Sequence, residues 1–116
     1  MKYLLFLLLI LTPIANAQSW IKLDVPKGYI NYIDRDSIKT KGDFTYYTMK
    51  DTSEEGHYRL IKFKHDCKYD ARQTLSSDYY DRETNKLIRP NTYSNSEMGQ
   101  YPRSYAMIKV ERMVCR

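Results

Sequence analysis

The chain has 116 residues, a net charge of +5 at pH 7, two cysteines and twelve tyrosines. That length leaves room for a single domain, and its charges are interspersed rather than gathered into the basic run or stripe of a nucleic-acid binder, so no nucleic-acid partner is expected. Four dispersed glycines and two histidines offer no phosphate cradle and no evident metal-ligand set, so neither cofactor nor metal is expected.

The first residues speak to compartment. Met1-Lys2 starts the chain positive, Tyr3 to Leu11 is an uncharged apolar run, Thr12-Pro13 ends it, and Ala15-Asn16-Ala17 has the small-x-small pattern of a signal-peptidase site. The apolar run is about half of the roughly 20 residues a membrane-spanning helix needs, which predicts cleavage after Ala17 and no transmembrane segment in the mature chain. Removing 17 of 116 residues leaves 99, and loss of Lys2 lowers the net charge from +5 to +4. No cysteine follows the small-residue stretch, so a lipidated N-terminus is not expected.

Beyond Gln18 the pattern is mostly that of strands. Trp20 to Val25 alternates, with Ile21, Leu23 and Val25 on one side. Pro26-Lys27-Gly28 turns the chain and Tyr29 to Ile33 returns, which predicts a hairpin. Asp34 to Ser37 then caps or turns the chain. Phe44 to Met49 is aromatic- and Thr-rich and reads as a third strand. After a polar loop, Asp51 to Gly56, the segment Tyr58 to Cys67 alternates most clearly, with Ile61, Phe63 and Cys67 on one face and Tyr58, Leu60, Lys62 and Lys64 on the other. Asp70 to Tyr80 pairs back, Arg82 to Lys86 turns, and Leu87 to Arg89 is a short strand. Residues 90–102 read as a loop.

The last segment changes period. Ser104 can cap a helix on which Ala106, Met107, Val110, Met113 and Val114 recur at three- and four-residue spacings. Cys67 and Cys115 are the only cysteines, and an exported chain meets an oxidising environment, so they are assigned to one disulfide closing a loop of about 48 residues.

Trp20-Ile21-Lys22, Tyr32-Ile33-Asp34, Ser37-Ile38, Gly42, an aromatic-rich strand, Asp66-Cys67 and a final Pro-x-Ser helix ending at Cys115 together resemble the surface-adhesin protein E family. The resemblance spans the mature chain, so the expected organisation is a signal segment at 1–17 and one protein E-like domain at 18–116. It implies an α+β fold: an antiparallel sheet of about six strands with a C-terminal helix packed on its concave face and tied to it by the disulfide. It also implies a Gram-negative bacterial source and, from the family's named members, binding of host matrix or serum proteins such as vitronectin, laminin and plasminogen. A shared fold does not carry a shared partner.

Tyr58, Lys62 and Lys64, extended by Lys68 and Arg72 near the hairpin, are the expected binding surface, where positive heads beside tyrosine could meet an acidic protein segment or a sulfated polysaccharide. The plainer reading of the same row is a solvated strand face with lysine stems covering apolar atoms. Catalysis is not expected: His57 and His65 lie about 26 Å apart along a strand, and Asp34 with Asp36, or Asp78 with Asp81, read as turn carboxylates. Two non-enzymatic functions follow, an adhesin-like module at the cell surface and a periplasmic interaction or inhibitor protein. A homodimer through an exposed sheet edge is left open.

Overall fold

The structure is a computed structural model that describes residues 18–91, 97–101 and 104–115. The expected signal segment, 1–17, and part of the expected 90–102 loop lie outside the described residues. The elements in chain order are β1 (Trp20–Lys22), β2 (Tyr32–Asp34), one 3-10 turn (Arg35–Ser37), β3 (Lys39–Lys41), β4 (Phe44–Asp51), β5 (His57–Asp66), β6 (Ala71–Asp81), β7 (Leu87–Arg89), β8 (Gly99–Gln100) and α1 (Tyr105–Val114).

The long alternating segments β4, β5 and β6 form the middle of one antiparallel sheet, ordered β1-β2-β4-β5-β6-β7. Two further short strands fill the edges: β3 pairs with β4 beyond the reach of β2, and β8 pairs with β6 at the end opposite β7. The expected six strands are thus the main path of an eight-stranded sheet. β3 and β8 were not read from the sequence, and β8 replaces part of the expected 90–102 loop. β1 and β2 form the expected hairpin but are shorter than their patterns, because direct pairing spans only Trp20↔Asp34 to Lys22↔Tyr32. Beyond it the Leu23 amide still donates to the Asn31 carbonyl at 2.8 Å.

Asp34 begins the 3-10 turn as expected of a capping carboxylate, accepting from the Asp36 amide and, from across the hairpin, the Ser19 amide, each at 3.0 Å. Asp81 does the same for the β6–β7 turn through the amides of Glu83 and Thr84. Gly56 closes the β4–β5 loop at φ +79°, a left-handed conformation that an L side chain would strain. Arg82 holds that loop, donating to the carbonyls of Thr52, Glu54 and His57.

One face of the sheet carries the core. Ile33, Tyr47, Met49, Ile61 and Phe63 are buried with Leu23, and α1 lays Val110 and Val114 onto them, with Ala106, Met107 and Met113 at the margin. The i,i+4 spacing of the two valines points both at the sheet. The Cys67–Cys115 disulfide ties the end of α1 to the turn after β5. Ser104 caps the helix, its Oγ accepting from the Met107 amide at 3.2 Å. Ser104→Ala should therefore cost about 1 kcal/mol of unfolding free energy, measurable as a lower urea midpoint with unchanged m-value.

Candidate functional site

Strand alternation sends every second residue of β2 to β6 away from α1, and no helix among the described residues covers them. On β5 these are Tyr58, Leu60, Lys62 and Lys64; their cross-strand neighbours are Lys50, Thr48 and Tyr46 on β4 and Tyr80, Asp78, Ser76 and Gln73 on β6. The face continues through Tyr32 beside Lys50, Lys22 beside Tyr32, Lys39 beside Tyr46 and Lys41 beside Phe44. Six lysines thus share one face with Trp20, Tyr32, Phe44, Tyr46, Tyr58 and Tyr80.

The two residue types are interleaved. Lys64 Nζ lies 4.1 Å from the Phe44 ring centroid, Lys50 Nζ 4.7 Å from Tyr58 and 5.3 Å from Trp20, and Lys41 Nζ 5.9 Å from Tyr46. Such contacts hold an ammonium over a ring without neutralising it. Among the described residues the one salt bridge, Arg59–Asp51 at 2.8 Å, is on the other face, so none of these lysines is paired with a carboxylate at that range. Tyr58 stacks on Tyr80 at 5.2 Å and donates to Asn85 Oδ1 at 3.0 Å. Burial, and then the neighbouring Tyr80, push its hydroxyl up, so it remains a neutral donor at ordinary pH.

The structure therefore brings Tyr58, Lys62 and Lys64 together, as the alternation of β5 requires. Lys68 is exposed in the turn that follows, its Nζ 5.4 Å over Tyr69. Arg72 does not join them. The pairing His65↔Arg72 places it on the helix-covered face, where its guanidinium lies 4.1 Å from the Phe63 ring and 5.3 Å from Tyr101. This corrects the expectation that Arg72 extends the lysine row.

A polar chain inside the core was missed at the sequence level. His65 is fully buried on the same side as Ile61 and Phe63. Tyr101 donates to Glu111 Oε1 at 2.6 Å, so its oxygen accepts from His65 Nε2–H at 3.2 Å, and Nδ1 accepts from the Tyr47 hydroxyl at 2.9 Å. Both ring nitrogens are thus bonded, and in the neutral ring the proton sits on Nε2. Burial lowers its pKa, and Arg72 lowers it further; Glu111, Asp70 and Asp66 oppose this with smaller effects. Strand parity was the available signal, since His65 continues the inward row of β5. Its Nδ1 or Nε2 lies within 4.8 Å of both cysteine sulfurs, but sulfurs bonded to each other provide no thiolate for a metal.

Fold and site define a class: a small antiparallel sheet with a disulfide-fastened helix packed on one face, the other face being aromatic and basic. Compared with known proteins, the chain matches no family model, no curated protein and no solved structure. Among the described residues no helix is long and apolar enough to cross a membrane.

Proposed function

We propose that the protein is an exported, non-catalytic binding module that holds an acidic segment of another protein against the open face of its sheet. The observation that carries this reading is that, among the described residues, six lysines, none paired with a carboxylate, interleave with six aromatic rings on a face that no helix covers. Lysines so placed steer an acidic partner into encounter, and flat rings supply contact area at small entropic cost. The order of short segments that resembles the surface-adhesin protein E family supports an adhesin-like role towards host matrix or serum proteins. A second reading, a periplasmic interaction or inhibitor protein, is favoured by the absence of a lipidation cysteine beside the expected cleavage site.

Lys62→Glu with Lys64→Glu tests the surface. Binding of a fluorescent polyglutamate peptide, followed by anisotropy, should weaken at least tenfold and fall steeply with added salt in the unaltered protein. The variant should remain folded, because Lys62 is exposed and Lys64 forfeits only a cation–π contact of about 0.5–1 kcal/mol. Equal binding by variant and parent would remove the open face from the reading. Protease shaving of intact cells, compared with cells whose outer membrane has been opened, separates surface display from periplasmic residence.

A further inference from the structure

On the helix side of the sheet, α1 does not reach over the whole face. Beyond its first turn a cavity of about 250 Å³ opens towards the chain that joins β1 to β2, walled by Leu23, Val25, Ile30, Met49, Ala106 and Met107. Apart from the Tyr29, Tyr101 and Ser104 groups at its margin, the one polar side chain lining it is Arg72. Ile30 and Arg72 also line an adjoining hollow of about 350 Å³, floored by Ile61 and Phe63 and edged by Arg59, Thr74 and Ser77. Ile30 and Arg72 border both spaces of this cleft, the one by the helix mainly apolar and the other more polar.

The chemistry at Arg72 is incomplete for a cation in such surroundings. Arg59 has a carboxylate partner in Asp51, whereas Arg72 is within salt-bridge range of none among the described residues. Its Nη1 points at two thioethers, Met107 Sδ at 3.6 Å and Met49 Sδ at 3.9 Å, which are weak acceptors, and the guanidinium also acts on the neutral Tyr47 hydroxyl, opposing the burial that raises its pKa. Phe63 and Tyr101 flank the guanidinium. A planar fork of N–H donors, flanked by rings and lacking an anion, matches a carboxylate bidentately.

We propose that this cleft binds a medium-chain fatty acid, its carboxylate on Arg72 and its alkyl chain in the cavity beneath the first turn of α1. At about 30 Å³ per water-sized group the cavity takes a chain of roughly eight carbons. Thr74 and Ser77 line the head-group side and make that end polar. The site is on the opposite face from the lysines and is independent of the polyanion reading.

The test is calorimetric titration of the oxidised protein with octanoate and with octanol. Octanoate is expected to bind saturably at one site, with octanol at least tenfold weaker because it lacks the charge. Arg72→Leu should weaken octanoate at least tenfold, and Ala106→Trp, which fills the chain's space while leaving Arg72 in place, should do the same. The Lys62→Glu, Lys64→Glu variant should bind octanoate unchanged. Absence of saturable octanoate binding, or equal affinity for octanol, would overturn the proposal on the unaltered protein alone, whatever the folding of the variants; so would an Arg72→Leu variant that binds as the parent does.

Discussion

Cys67→Ser is expected to lower the unfolding free energy by about 4 kcal/mol, the chain-entropy value for a closed loop of 48 residues. Against the 5–15 kcal/mol that holds a typical domain folded, this is a large share. The effect should be local in structure although global in stability. α1 has ten residues, shorter than the roughly 12–15 at which isolated helices become even marginal in water. Without the bridge it is held by Val110, Val114 and their margin, and by the Tyr101–Glu111 bond to the His65 chain. The sheet keeps its own ladder through β4, β5 and β6. Denaturant titration should show a much lower midpoint, while the β signal in circular dichroism persists and amide exchange quickens first in residues 105–114. A midpoint unchanged by the substitution or by reduction would show that the helix needs no staple.

Mild acid is expected to destabilise the protein through His65, before its carboxylates titrate. In the folded state burial, reinforced by Arg72, holds the ring below the ordinary histidine range, while in the unfolded chain it protonates near the usual pKa of about 6.5. Between that pH and its lower folded pKa the unfolded state carries more protons, so stability falls as pH falls, by at most about 1.4 kcal/mol per pH unit. Protonation would also turn Nδ1 from the acceptor of the Tyr47 hydroxyl into a second donor and break the directional chain to Glu111. Asp51 contributes lower down: burial pushes its carboxyl up, but bonds from Ser53 and Arg59 outweigh that and leave it below the ordinary range. Its contribution is present above the usual carboxylate pKa and is lost in stronger acid. His65→Phe should cost about 1–3 kcal/mol at pH 7, by leaving the buried Tyr47 hydroxyl without its partner, and should flatten the stability profile between pH 6.5 and 5. If that slope survives the substitution, another group carries it.

The charge row on β5 was legible because strand period alone puts Tyr58, Lys62 and Lys64 on one face, whatever they pair with. Arg72 was not, for a reason visible in the ladder. Lys62 pairs with Ser76 but Phe63 pairs with Thr74, so Leu75 is an extra residue. The inward residues of β6 are therefore 72 and 74 before the bulge and 77 and 79 after it, and sequence parity cannot locate such a switch. The short strands β3 and β8 likewise have no periodic signal. They are strands because a free edge of β4 or β6 lies beside them.

The sequence by itself determined the alternation of β5, the strand character of β4, the capped amphipathic helix and the one available disulfide, since each follows from local period, composition, a local hydrogen bond or a count of cysteines. Tertiary structure alone decided which face the helix packs on, that His65 is enclosed between Tyr47 and Tyr101, and that Arg72 stands over a cleft. Those outcomes depend on register between segments distant in the chain, and register is set by packing the whole sheet against α1 rather than by any one segment's pattern.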